Sequence, residues 1–348
     1  MNVPVGINHE SAPVNMLYPG TVLYPDRCAD IDPKAKTDEI YLSVVGGPAF
    51  DRISRLLNGM AVAKRNPEPG SDKMNDANTE WNERCELQKQ ITDYKSSAKF
   101  FSIQKNVDRM AKDLIEGTID RASDQLVSLD FLAGSTVLDI GAGPGTLAVP
   151  LAKRGCRVTV VEPSHPMTVS MEKYRVRQGV SADIGVVPQL WEEVDADFIG
   201  RFDYVISSFA LAVPDLREAL LKMNAVATKQ VHIFWFLTTP SWAQINTDLW
   251  KALHNEEYIG RPYADLIWNT LYQAGIMANL SVYPMKDSHT FADHAEALEE
   301  YADRLSAVED WQRKIVLEYL QKTLIPCGDG RLTFPDEGRY AHIWWDTA

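Results

Sequence analysis

From about residue 130 onward, short apolar runs alternate with stretches whose apolar positions recur every three or four residues. The runs read as strands at Thr136–Ile140, Arg157–Glu162, Ile184–Val187, Phe202–Ser207, Val231–Phe236, Asn279–Tyr283 and Tyr340–Trp345. Between them the helical period predicts helices near Gly145–Lys153, Pro166–Gln178, Asp215–Ala227, Ser241–Leu253 and Ala264–Ala274. Two more, near Ala292–Leu305 and Val308–Leu324, precede the last strand. Strand runs that are apolar throughout, each followed by a helix, indicate an α/β fold: a parallel sheet covered on both faces.

Upstream, Val107, Met110, Ala111, Leu114, Ile115, Ile119, Ala122 and Leu126 form one apolar stripe at helical spacing. Prolines at 4, 13, 19, 25 and 33 break any period in the first 38 residues. A strand at Glu39–Val45, a helix from Pro48 to Ala63 and a polar linker from Asn66 to Thr79 follow. The expected organisation is an N-terminal extension (1–80), a helical lid (81–130), an α/β domain (131–290), a helical insertion (291–330) and a closing strand (331–348). No internal repeat is visible.

Composition narrows the function. Acidic residues (48) outnumber Lys plus Arg (35), giving a formal charge of −13. That sign repels phosphate backbones and anionic lipid, so a nucleic-acid or membrane partner is not expected. The four cysteines, Cys28, Cys85, Cys156 and Cys327, are far apart and form no Cys-x-x-Cys. With no apolar run of spanning length and no signal-type start, the expectation is a cytoplasmic protein with reduced thiols.

The informative stretch is Val137-Leu138-Asp139-Ile140-Gly141-Ala142-Gly143-Pro144-Gly145-Thr146. A strand runs through glycines, which let backbone approach a ligand closely, into a helix whose first N–H groups are unpaired. Such a turn holds a nucleotide-like ligand at the carboxyl edge of a sheet. The spacing is Gly-x-Gly-x-Gly, not the Gly-x-Gly-x-x-Gly of a dinucleotide loop, and position 146 is Thr. An acid at 139 repels a pyrophosphate but engages an ammonium group. Glu162 ends the second strand, where a carboxylate can accept both hydroxyl protons of a ribose.

Asp139-x-Gly141-x-Gly143-x-Gly145 with Glu162 resembles the first two motifs of class I S-adenosylmethionine-dependent methyltransferases. The resemblance covers roughly residues 100 to 284 plus the final strand. It implies a doubly wound, seven-stranded, mostly parallel sheet of Rossmann-like type with the last strand antiparallel, and S-adenosyl-L-methionine as cofactor. By the same resemblance Gly141, Ala142, Gly143, Gly145 and Thr146 approach the methionine part, and Asp139 positions its ammonium group. Glu162 takes the ribose hydroxyls, Pro163 and Met167 flank the adenine, and Leu190 and Trp191 line its edge. Phe202-Asp203-Tyr204-Val205-Ile206-Ser207-Ser208-Phe209 is similar to the fourth motif, placing Ser207 and Phe209 beside the cofactor and Ser208 in the acceptor pocket. The Asn/Asp-Pro-Pro-Tyr of members that methylate planar amines is absent there, which argues against base methylation.

Trp242, just beyond Thr238-Thr239-Pro240 at the edge of the fifth strand, is the second pocket candidate; a core role competes for it and its aromatic neighbours. Methyl transfer from a sulfonium needs alignment and water exclusion first, and a base only if the acceptor keeps its proton. Candidate bases are His289, His294 and Tyr94, with Lys95 and His165 as further polar neighbours; a surface or capping role competes for each. No metal set is apparent. The expectation is an enzyme methylating a small molecule, with a homodimer contact through the N-terminal extension. The alternatives are a nicotinamide- or flavin-dependent oxidoreductase, a non-catalytic cofactor-binding protein, and a protein- or RNA-directed methyltransferase.

Overall fold

The computed structural model describes residues 76–91, 101–116, 123–285, 290–328, 330–335 and 338–347. The expected strand at 39–45, the helix at 48–63 and any dimer contact of the extension lie outside them.

Five strands, β1 (Thr136–Ile140), β2 (Arg157–Val161), β3 (Gly185–Val187), β4 (Phe202–Ser208) and β5 (Ala227–Phe236), run parallel. β6 (Asn279–Pro284) joins through the last strand. The other strands between β6 and that strand are β7 (Thr290–Phe291), β8 (Ile325–Pro326) and β9 (Leu332–Thr333), which form a separate small sheet in the order β7-β9-β8. The last strand, β10 (Arg339–Asp346), inserts antiparallel between β5 and β6, giving the order β3-β2-β1-β4-β5-β10-β6. The seven-stranded, mostly parallel sheet and its reversed last strand are as expected. The small sheet was not: two-residue strands carry no period to read.

Alternation within each strand divides the core in two. Val205, Ile233, Trp235, Ile343 and Trp345 pack on one face, while Val137, Val158, Val160, Ile206 and Phe234 pack on the other. Helices α1 (Ala77–Ile91), α2 (Gln104–Glu116) and α3 (Ser123–Ser128) precede the sheet. Within and after it come α4 (Ala148–Lys153), α5 (His165–Arg177), α6 (Ala196–Ile199), α7 (Leu216–Val226), α8 (Ser241–His254), α9 (Ala264–Gln273), α10 (His294–Arg304) and α11 (Asp310–Thr323). Caps explain several starts: Ser164 accepts the Met167 N–H at α5, Asp215 the Glu218 N–H at α7, and Asp293 two N–H groups at α10.

The 81–130 stretch is not one lid. α1 begins inside what the sequence reads as linker and packs against α7 and α9 on the face of the sheet. Trp81 is fully buried there, 5.7 Å from Trp235, and its indole N–H donates to the Val213 carbonyl. The Ala77 N–H donates to Gln273 Oε1, and Asn78 Oδ1 accepts the Arg217 N–H. α2 instead lies on α5, beside the glycine turn. The 291–330 region, with α8, builds its own core from Leu249, Trp250, Phe291, Tyr301, Val316 and Leu320. Among the described residues no helix is long and apolar enough to cross a membrane.

Candidate cofactor site

The turn after β1 is shaped by its glycines. Gly141 sits at φ +70°, and a Cβ there would fall 2.2 Å from Ala210 Cβ. At Gly145 (φ +81°) a Cβ would meet Met171 Cγ at 2.5 Å, so this glycine lets the helix close on the turn. Gly143 differs: a Cβ would touch nothing nearer than Met167 Sδ at 4.0 Å. The first and third glycines are packing requirements, and the middle one borders open space.

Asp139 and Glu162 face this turn from β1 and the end of β2, both buried at 2% and 7% exposure. Glu162 Oε2 accepts the Gly143 N–H at 2.8 Å and Oε1 accepts the Ser164 N–H at 2.9 Å. Burial pushes the Glu162 carboxyl upward, against these two backbone bonds. Burial, and after it the charge of Glu162, push Asp139 up to about 7; a bond from the Ala148 backbone opposes the shift. Among the described residues neither carboxylate forms an ion pair. Two buried acids without a cation, beside a turn with open space at Gly143, fit a ligand that brings its own positive charge and ribose hydroxyls. S-adenosylmethionine is such a ligand.

Ser164 links this site to the upstream helices, donating its hydroxyl to the Phe101 carbonyl at 2.6 Å while capping α5. Met167 is buried below it, whereas Pro163 is exposed and Thr146 half-buried. Ala142 turns into the core under α4 and α5. Leu190 is half-buried; the Trp191 indole packs toward α7, donating to the Ala219 carbonyl and lying 4.8 Å beneath Lys222 Nζ. Trp191 is thus partly committed to the core.

At the end of β4, Ser207 is buried and donates to the Ile140 carbonyl, tying β4 to β1. Ser208 donates to Gln125 Oε1 of α3. Phe209 adopts φ +55°, a left-handed conformation that costs a non-glycine residue energy and that clusters at functional sites. That turn lays its ring 4.7 Å from Phe236 and 5.7 Å from Tyr340. Trp242, half-buried, extends the wall 6.3 Å beyond Phe236. Gln125 and Tyr340 were not singled out from sequence; Phe236 was, among the aromatic neighbours of Trp242 read either as a pocket wall or as core. Tyr340 arrives through antiparallel pairing with Phe236, which no local pattern reveals.

His294 opens α10, its Nε2 buried and without a hydrogen-bond partner. His165 is exposed at the start of α5. His289, Tyr94 and Lys95 lie outside the described residues. Among the described residues no group of three or more His, Cys, Asp or Glu is placed to hold a metal.

Residues 137–230 match a family model described as a methyltransferase domain. The match spans the glycine turn, Glu162 and β4, so this stretch of the chain is a methyltransferase domain. An uncharacterized protein of Haemophilus influenzae is 27% identical over 243 residues, covering 68% of this chain and 86% of the relative. A ubiquinone biosynthesis O-methyltransferase of Caulobacter vibrioides is 36% identical over 74 residues, covering 21% of this chain and 29% of that enzyme. The chain thus spans under a third of that enzyme. Among solved structures, a putative methyltransferase from Bacillus halodurans aligns with a TM-score of 0.43 at 18% identity, covering 64% of this chain and 97% of that one. Magnesium protoporphyrin IX methyltransferase from Synechocystis, solved with S-adenosylhomocysteine, aligns at 0.37 and 17%, covering 72% and 93%.

Proposed function

We propose that the chain methylates a small-molecule acceptor by in-line transfer, with the acceptor seated against Phe209, Phe236, Tyr340 and Trp242. The cofactor supplies an activated methyl group on a sulfonium. The chain's own residues then bind, orient and exclude water. Asp139 takes the ammonium group, Glu162 keeps a lone pair on each oxygen for the ribose hydroxyls, and Gly143 leaves room for the methionine part. Phe209, held at positive φ between Ser208 and the β5 edge, sets the distance between acceptor and methyl carbon. Such alignment is worth up to ~7–11 kcal/mol in bimolecular steps. Residues 101–116 and 123–128 act as the cover, through the Ser164–Phe101 bond and the Ser208–Gln125 bond.

The observation that carries this reading is the pair of buried acids beside the open glycine, neither with an ion-pair partner among the described residues. The −13 charge and the aromatic wall favour a small molecule over nucleic acid. Incubation of cell extract with methyl-labelled S-adenosylmethionine and the full chain tests it. Label is expected in the fraction below about 1 kDa; label confined to protein or RNA would overturn the small-molecule assignment.

A further inference from the structure

A cavity of about 320 Å³ lies where the residues after α3 meet β5, β10 and β6. That volume is at the lower end of small-molecule sites, about 300–1,000 Å³. Phe131, Tyr283 and Trp344 line it with rings, and Asp130, His232 and His342 with polar groups. None of its lining residues belongs to the cofactor site or to the wall of Phe209, Phe236, Tyr340 and Trp242.

The two histidines are buried, His232 of β5 at 4% exposure and His342 of β10 at 3%. A chain of hydrogen bonds fixes their tautomers. The Asp346 carboxylate only accepts, so Gln230 turns its Nε2 to Asp346 at 2.9 Å and its Oε1 to His232 Nε2 at 3.2 Å. His232 Nε2 therefore carries the proton, and His232 Nδ1 accepts from His342 Nε2 at 3.0 Å. His342 Nδ1 is left with a lone pair and has no hydrogen-bond partner among the described residues. Burial holds both rings neutral, pushing His232 down to about 3, with His342 beside it adding to the shift, and His342 down to about 4. Phe234 at 4.4 Å and Trp344 at 4.6 Å stack on the faces of His342, so a ligand meets the edge of this imidazole.

Asp130 is exposed and brings a carboxylate that forms no ion pair among the described residues. No Lys or Arg is among the described residues that line the cavity. A lone pair and a carboxylate together call for N–H donors and a positive charge. Aromatic walls suit the apolar body of such a ligand, and a chain of charge −13 draws cations toward it.

We infer that this cavity is a second ligand site, which takes a protonated primary amine with an apolar body. Asp130 meets the ammonium charge, and His342 Nδ1 accepts one of its N–H groups. The site is independent of the methyltransferase reading.

The test titrates the full chain calorimetrically with benzylamine, benzyltrimethylammonium and benzyl alcohol, in excess S-adenosylhomocysteine so that Asp139 is not offered to the amine. Benzylamine is expected to bind saturably and at least about tenfold more tightly than the other two, as a charge-assisted hydrogen bond gives. Benzyltrimethylammonium keeps the charge without an N–H, and benzyl alcohol donates without the charge. Asp130→Asn should weaken benzylamine about tenfold, and because the residue is exposed the variant keeps the fold. A second reading leaves the buried pair unchanged: in the nitrogen-15 spectrum of the histidine-labelled chain, one unprotonated imidazole nitrogen should shift on adding benzylamine. No saturable binding, equal or tighter binding of either other probe, an unchanged constant in Asp130→Asn, or histidine nitrogens that do not respond would overturn the inference.

Discussion

Glu162 and Gly143 are joined by a 2.8 Å hydrogen bond that ties the loop after β2 to the turn after β1. The second carboxylate oxygen accepts the Ser164 N–H at 2.9 Å, so each oxygen spends one acceptor direction on backbone. A carboxylate offers about four such directions, leaving one per oxygen for a ribose. The residue that orders the turn is also the one proposed to receive the ribose.

Glu162→Gln puts an amide NH₂ against one of those backbone N–H donors. S-adenosylhomocysteine affinity should fall about 10- to 100-fold, corresponding to ~1.5–3 kcal/mol for a charge-assisted bond. Calorimetric titration checks this, and an unchanged dissociation constant would remove Glu162 from the ribose site.

Asp139 sets a pH dependence. Its carboxyl, pushed up to about 7, is largely protonated at pH 6 and must ionise to hold an ammonium group. Cofactor binding should tighten as pH rises from 6 toward 7.5, by no more than tenfold per unit for one proton, and should release that proton. For stability the sign is opposite. The folded state holds this proton at a pH where the unfolded chain has lost it, so the group's stabilisation is full near pH 4 and lost as pH rises through about 7. Asp139→Asn should flatten the binding profile, and adenosine, lacking the amino-acid part, should show no such slope.

The three glycines should separate packing from binding. Gly141→Ala places a methyl 2.2 Å from Ala210 Cβ, and Gly145→Ala strikes Met171 and Val149; the positive φ strains an alanine at all three glycines, Gly143 (φ +54°) included. The first two substitutions should each lower stability by about 1–3 kcal/mol, the usual cost of overpacking. Gly143→Ala meets no protein atom closer than 4.0 Å and should cost less stability while weakening cofactor binding most per unit of stability lost. Thermal melts with and without cofactor read both effects.

Much of this was legible in the sequence. Six of the seven large-sheet strands lie within one residue of their expected ends; the central ones are buried on both faces and so read as unbroken apolar runs. β5 begins at Ala227 and not Val231, since exposed Thr228 and Lys229 and half-buried Gln230 hide the start of its pairing. Asp139, the glycines and Glu162 were readable because their spacing is local. Tyr340 and Gln125 were not: they reach Phe236 and Ser208 through strand order and loop return, which carry no short-range signature. The 81–130 region misled for a similar reason. A helical stripe shows that a face is buried, not what buries it.

Trp81 tests that correction. Its burial against Trp235 predicts that Trp81→Ala destabilises the fold by ~3–5 kcal/mol, the range for a buried aromatic truncation. Were the helix a lid, the same change would alter acceptor KM and leave the melting temperature alone.

The most direct measurement is calorimetric titration of the full chain with S-adenosylmethionine, S-adenosylhomocysteine and NADH, repeated on the Asp139→Asn/Glu162→Gln double variant. Micromolar binding of both adenosyl compounds to the natural chain, its loss in the double variant, and no heat from NADH are the results expected. Silence from both adenosyl compounds, or equal affinity in the double variant, would contradict the account.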